Sequence, residues 1–385
     1  MRIVGCELFK IALPNRRHHT WASKMTAPIG RHCVVRIDTD QGVSGWGEAP
    51  AGITWGGAHM RYFGESPETV SLIIQRHLLE VIRGADPRDM AVLHAAMDRA
   101  VKGHPYAKAA LDMACHDIAG KAAGVPVYRL LGGKFRDRIE VAHSLGIMSI
   151  EKCVEEAVAA VTEGVRTIKC KTGLDPERDV EVVRRLRERL GAGISIRVDG
   201  NEGYTDAWQA INVTRRQEEY ELLVCEQPVM GARALGLVAE RIDTPVMADE
   251  SAWTAHDILE LIDHKAAACI SLYVTKPGGL YRARQQADLA DALGLYSDIG
   301  GSIESGIGNA ANLHLGAATR IARLPSVCPT SKPAGAPGPS IAGCYYLDDV
   351  VTEPFRFEDG AVLVPEGPGL GIEVDVEKLR KYALP

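Results

Sequence analysis

From about residue 138 onward the chain repeats one pattern: a short apolar run, then an amphipathic helix, then another run. The β-rich runs fall at 139–145, 167–171, 195–199, 222–226, 245–249, 268–274, 295–299 and 325–329. Helical patterns fill the intervals, for example at 155–162, 176–189, 207–218 and 279–293. The spacing is roughly 25–30 residues, the length of one β/α unit. Near-continuous apolar strands alternating with helices specify a parallel sheet closed into a barrel. In such a barrel the C-terminal strand ends share one rim, and chemistry is done there.

The residues at those strand ends are therefore the ones to read for function. The 167–171 run ends Lys169-Cys-Lys171. Alternation along a strand puts i and i+2 on one face. The two ammonium groups then repel, which lowers an amine's pKa and prepares a lysine to take a proton. The next three runs end on Asp199 (followed by Gly-Asn201), Glu226 and Asp249. Three convergent carboxylates repel unless a cation stands between them. All-oxygen donors with neither His nor Cys favour Mg²⁺, with Mn²⁺ second. A divalent ion beside two lysines points to one chemistry. The ion holds a substrate carboxylate, Lys171 removes the proton from the adjacent carbon, and the charge of the enediolate is stabilised.

The rest of the chain narrows the class. At 385 residues it is long enough for a barrel with an added domain. Hydrophobic residues make up 46% and charged residues 24%, with a formal net charge of -6, which argues against a nucleic-acid or anionic-membrane partner. No window reaches the roughly 18 apolar residues of a membrane span. The first residues, Met1-Arg-Ile-Val-Gly-Cys6, read as a strand with no signal-peptide core. Nine scattered cysteines without a CxxC pair read as buried, reduced thiols, placing the chain in the cytoplasm. Residues 1–55 alternate like an antiparallel meander, interrupted by polar loops at 15–21 and 51–57. Residues 67–130 turn helical. One helix, 106–121, is built almost wholly of small residues, as at a buried domain seam, yet carries Asp112 and Asp117. The expected division is a capping domain over 1–130, a barrel over 131–335 that ends in a Pro-rich linker, and a C-terminal segment, 336–385, packing back on the cap.

Taken together, Lys169-Cys-Lys171, Asp199-Gly-Asn201, Glu226-Gln-Pro228 and Ala248-Asp-Glu-Ser251 resemble the enolase superfamily, in its mandelate racemase/muconate lactonizing enzyme family and muconate lactonizing enzyme subgroup. The helix 107–121, the run Gly300-Gly-Ser-Ile-Glu304-Ser-Gly-Ile-Gly308 and the turn Gly367-Pro-Gly-Leu-Gly-Ile372 are similar to other signatures of that family. The run 103–110 is similar to the subgroup's hydroxyproline betaine epimerases. The resemblance implies a modified (β/α)₇β TIM-like barrel with an α+β capping domain. It also implies Mg²⁺ on Asp199, Glu226 and Asp249, Lys171 as acid/base, Lys169 as a cation near it, and a symmetric homo-oligomer, with an octamer one form to expect.

One position departs from the family pattern. Where the family carries a second catalytic lysine on the sixth strand, this chain has Tyr273, and Lys276 lies three residues on. Strand parity puts Tyr273 and Lys276 on opposite faces. A phenol of ordinary pKa near 10 can donate a proton but is a poor base. One lysine base therefore suits β-elimination or cycloisomerisation of a small carboxylic acid. Epimerisation of an amino acid, hydroxyproline or betaine is the alternative, and a barrel that only binds a metal or ligand is a reading of another class. Glu304 is a candidate proton relay or orienting group. Asn201, Lys276, Trp21 and Trp55 are candidate substrate contacts. The tryptophans would cover a ring or a cationic amine, whereas Arg16, Arg17, His18 and His19 would meet a second anion.

Overall fold

The computed structural model describes residues 1–22, 29–50, 52–57 and 61–385, so Ala51 of the second loop lies outside the described residues. Strands β1 (Ile3–Ala12), β2 (Arg31–Thr39) and β3 (Ser44–Pro50) form the expected antiparallel meander, with Phe9 opposite Val34 and Val35 opposite Gly47. Helix α1 (Pro67–Ile73) follows a Ser66/Thr69 capping box. It runs through a π-helical turn into α2 (Leu79–Ile82), and α3 (Met90–Ala100), α4 (Pro105–Ala123) and α5 (Val127–Leu130) follow.

Helix α4 explains its own composition. It is buried from Tyr106 to Gly120 and lies directly on β3. A Cβ on Gly45 would overlap the Ala114 carbonyl, and one on Gly47 the Ala110 carbonyl, so backbone meets backbone there. Only small residues permit that approach.

The remaining strands build the barrel. After β4 (Arg138–Glu140) come β5 (Ala142–Leu145), β6 (Thr167–Lys171), β7 (Ser195–Asp199), β8 (Leu222–Glu226), β9 (Val246–Ala248), β10 (Cys269–Leu272) and β11 (Tyr296–Ile299). The seven from β5 to β11 are parallel and lie side by side in sequence order. Each is followed by a helix: α6 (Ile150–Thr162), α7 (Pro176–Leu190), α8 (Ala207–Glu218), α9 (Ala232–Ala239), α10 (Ala255–Asp263), α11 (Leu280–Ala292) and α12 (Gly306–Ala318). Ser149, Asp175, Asp206, Thr254 and Ser305 cap five of these helices at their open N–H groups. The chain at 321–326 touches both open edges: Ala322 bridges Ser297 of β11, and Ser326 bridges Val141 beside β5. This short eighth strand closes the (β/α)₇β barrel.

The tail returns to the N-terminal elements. Strands β12 (Phe357–Glu358) and β13 (Ala361–Leu363) pair onto β4, and Ala383, just after α13 (Val376–Lys381), bridges Ile11 of β1. Among the described residues, no helix is long and apolar enough to cross a membrane.

Buried acids fasten the cap to the barrel. Asp112 of α4 accepts from the Leu280 N–H at the start of α11 (2.6 Å) and from His94 Nε2 (2.8 Å), with His116 Nδ1 3.1 Å away. Burial opposes its charge, but the two histidines hold its pKa below the usual carboxylate range. Glu48 of β3 accepts from the Ser305 and Gly308 N–H groups at the start of α12 (2.9 and 2.8 Å). Asp117 ties β3 and the tail together through Trp46 N (2.9 Å) and Leu370 N (2.8 Å). Replacing Asp112 by Ala strips a helix N-terminus and two imidazoles of their shared acceptor. Thermal and urea unfolding of that variant should show a loss of about 3–5 kcal/mol; wild-type stability would show that the seam does not depend on this residue.

Candidate active site

The barrel rim gathers charges that could not be buried singly. From β6, Lys169 Nζ lies 2.7 Å from Glu226 Oε1 and 2.8 Å from Asp199 Oδ2. Lys171 Nζ donates to Asp199 Oδ2 (2.5 Å) and to Asn201 Oδ1 (2.8 Å). Lys276 Nζ pairs with Asp249 Oδ1 and donates to its carbonyl at 2.8 Å. Below them Arg197 Nη2 bridges Glu226 Oε2 (2.6 Å) and Asp298 Oδ2 (2.8 Å). The two lysines of β6 do share a face, but the expected repulsion is not what governs Lys169. Burial opposes its charge, and Asp199 and Glu226 outweigh that and raise its pKa above the ordinary lysine range.

Among the described residues, no three acidic, histidine or cysteine side chains form a cluster able to enclose a metal ion. The reason is on the rim itself: ammonium groups neutralise the carboxylates at close range. Asp199, Glu226 and Asp249 are nevertheless buried, end three successive strands, and feel one another. The charge of Asp249 works against that of Glu226, and that of Asp199 against Asp249. As an all-oxygen donor set it fits a hard divalent cation.

Above the rim is a cavity of about 400 Å³. Lys169, Lys171, Asn201, Tyr273 and Lys276 line it, and so do Trp21 and Trp55. The strand-parity argument fails for Lys276. Strand β10 ends at Leu272 and residues 273–276 turn, so Tyr273 and Lys276 both reach the cavity. Lys276 Nζ sits 3.9 Å from the centre of the Tyr273 ring. The Tyr273 hydroxyl donates to Asp249 Oδ2 (3.1 Å), and desolvation followed by the Asp249 charge pushes its pKa well above the ordinary value. Strands β6 and β10 are the second and sixth of eight, so Lys171 and Tyr273 face each other across the barrel.

Of the other two candidates, Glu304 stands outside the cavity lining and Asn201 within it. Glu304 lies in the loop after β11, behind Gly301 and Ser302, where its Oε1 accepts from Ser302 N (2.8 Å). Burial pushes its carboxyl up to about 7. Asn201 directs its carbonyl oxygen to Lys171 and its amide to Glu250 Oε1 (2.8 Å), so it holds the base in place. Arg16 and Arg17 are both spent on Glu156, each at 2.7 Å.

Three further aromatic walls, Tyr106, Trp253 and Tyr345, were not legible as site residues, because each comes from a different element and none has a local signature. Arg197 was missed, although alternation from Asp199 places it inside the barrel.

The comparisons with known proteins agree with this architecture. Residues 152–379 match the family model for the enolase C-terminal domain-like fold, and residues 9–132 that for the mandelate racemase / muconate lactonizing enzyme N-terminal domain. Muconate cycloisomerase 1 of Rhodococcus opacus is 34% identical over 393 residues, covering 99% of this chain and 98% of that protein. The crystal structure of N-succinyl Arg/Lys racemase from Bacillus cereus superposes with a TM-score of 0.90 at 28% identity, over 100% of this chain and 98% of that one. That of 2-chloromuconate cycloisomerase from Rhodococcus opacus 1CP gives 0.90 at 30% identity, over the whole of both chains. Enzymes of this family depend on a divalent metal ion and act on small molecules. The chain belongs to the enolase superfamily, in its mandelate racemase/muconate lactonizing enzyme family and the muconate lactonizing enzyme subgroup, and is an enzyme of that lyase and isomerase class.

Proposed function

We propose that this enzyme removes the proton α to the carboxylate of a small organic acid with Lys171 as its one base, and that β-elimination or cycloisomerisation follows. The observation that carries this reading is the asymmetry across the barrel. Lys171 stands on one side; on the other stands a phenol whose hydroxyl is given to Asp249 and whose proton is held more firmly than in free tyrosine. Asp199, Glu226 and Asp249 would hold the divalent ion, which we take as Mg²⁺, with Mn²⁺ able to replace it. When bound, that ion supplies positive charge to the carboxylate oxygens of the enediolate. Lys171, which lines the cavity and is held by Asp199 and Asn201, is the amine placed to take the proton. Lys169 remains between Asp199 and Glu226 as a fixed cation near the substrate carboxylate.

The aromatic walls favour a substrate with a ring or a cationic amine, and Arg16 and Arg17 are turned to Glu156, away from direct contact with a second anion. A second reading, epimerisation, draws on Lys276, whose amine reaches the cavity beside Tyr273. The meander within 1–130, the parallel sheet within 131–335 and the bridges from Tyr346 to Asn15 and from Ala383 to Ile11 support a cap over 1–130, a barrel over 131–335 and a segment over 336–385 that returns to the cap. Nine free cysteines, eight of them buried, support a cytoplasmic setting, and a homo-oligomer rests on the family resemblance.

Acid-sugar, hydroxyproline, betaine and N-acyl amino acid panels incubated with Mg²⁺ in D₂O test the reaction. Deuterium should enter recovered substrate of one configuration only; product of inverted configuration would establish two-sided chemistry instead. Lys171→Ala should lower turnover by about 10²–10⁴-fold. Tyr273→Phe should stay within about tenfold of wild type, because no proton is routed through its hydroxyl. Chelation by EDTA should abolish turnover and added Mg²⁺ restore it; turnover that survives exhaustive chelation would remove the metal from the scheme.

A further inference from the structure

His19 belongs to the first loop, is buried, and lines the cavity between Trp21 and Tyr345, whose rings lie 5.9 and 5.4 Å from its own. One of its nitrogens is committed. Arg17 Nη1 stands 2.9 Å from Nδ1. A guanidinium only donates, so Nδ1 must be the acceptor and the ring proton must sit on Nε2. Arg17 cannot swing away without cost. Its Nε and Nη2 are 2.9 and 2.7 Å from Glu156 Oε1, and Nη1 and Nη2 also reach the His18 and Ser144 carbonyls. Glu156 is held in turn by Arg16 (2.7 Å) and His143 (3.0 Å). The groups acting on the His19 ring add up to neutrality. Burial, then Arg17 and Lys171, with His143, hold its pKa well below the ordinary histidine value against the opposing charge of Glu156. Among the described residues, Nε2 has no hydrogen-bond partner.

The loop also fixes which side of the substrate His19 meets. Thr20 accepts from Ile147 N (2.8 Å) just beyond β5, and Ala22 packs against Gly173 and Gly203 just beyond β6 and β7. His19 therefore stands over the Lys171 side of the rim, across the barrel from Tyr273.

We propose that His19 is a specificity-determining residue: a neutral imidazole, locked in one tautomer by Arg17, that donates its Nε2–H to an oxygen on the carbon next to the α-carbon, on the Lys171 face. This rests on the one-base reading above. In an elimination the Lys171 amine takes the α-proton, and the C–H pair passes through the enediolate into the new Cα–Cβ double bond. The Cβ–O bond breaks with its pair going to oxygen. That oxygen recovers the proton from the Lys171 ammonium, which restores the base. The His19 proton stays on nitrogen throughout and steadies the charge on the departing oxygen. Proton and oxygen leave from the same face, so the substrate class is a monocarboxylate with a β-oxygen substituent syn to the α-hydrogen.

Nitrogen-15 NMR of the histidine-labelled full-length protein tests the lock without any substrate, with His19→Gln assigning the signal. A neutral ring protonated on Nε2 from pH 5 to 9 is expected; an imidazolium at pH 6, or a proton on Nδ1, overturns the proposal. On the panel acid whose α-proton exchanges in D₂O, His19→Phe should leave exchange nearly intact and slow elimination about 10²-fold. His19→Gln, which keeps an N–H donor, should recover much of that loss. Parallel loss of exchange and elimination, or preference for the anti diastereomer, would reduce His19 to a wall. If no panel acid exchanges with wild type, the one-base reading fails, while the tautomer measurement still decides for or against His19.

Discussion

The barrel rim is organised by charge neutrality. Asp199, Glu226, Asp249 and Asp298 are buried, and no buried carboxylate is tolerated without a partner. Lys169, Lys171, Lys276 and Arg197 answer them one for one, and all four cations are buried as well. The balance has a chemical consequence. A divalent ion entering a rim that is already neutral leaves it with excess positive charge. On the reading proposed above, a substrate carboxylate would offset part of that excess, so that metal and substrate would favour one another. Arg197 contributes by occupying one oxygen of Glu226 from below, which leaves Oε1 facing the site.

The capping domain answers to the same rule in another form. Two of its buried acids sit at the N-termini of consecutive barrel helices, Asp112 on α11 and Glu48 on α12. Each satisfies N–H groups that a helix start leaves open and each meets the positive end of a helix dipole. The attachment is directional, which sets the loops carrying His19, Trp21 and Trp55 over the rim. Because α4 meets β3 through glycines, the sheet cannot slide or thicken without breaking backbone contact.

How much of this could be read from the chain depended on whether the signal was periodic. The β/α repeat, the meander and the strand-end residues are periodic, and the fold and the Lys171 rim were legible from them. The run 139–145 was legible and contains β5, whereas the last run was read at 325–329 and the bridges that close the barrel fall at Ala322 and Ser326, since a segment held by isolated bridges carries no pattern of its own. Lys276 was misplaced because alternation was carried past Leu272, where the strand stops. Glu304 was placed in the site on the strength of its neighbours, although its side chain turns behind Gly301. The cavity's aromatic walls, Trp21, Trp55, Tyr106, Trp253, Tyr273 and Tyr345, come from six separate stretches, and no one-dimensional pattern links them.

His19 shows the same limit from the other side. In the sequence it is one of four basic residues in a loop, and the group reads as a site for an anion. In the folded chain the two guanidinium groups turn to a single acid, Glu156, which belongs to α6 and lies far along the chain. What remains facing the cavity is a neutral ring between two aromatic neighbours. The loop that looked anion-seeking thus presents an uncharged ring to the cavity. Opposite it, the position where the family carries a lysine holds a tyrosine turned toward Asp249. Both changes favour the proposed reading, in which Lys171 takes the proton and the aromatic and imidazole walls orient the substrate.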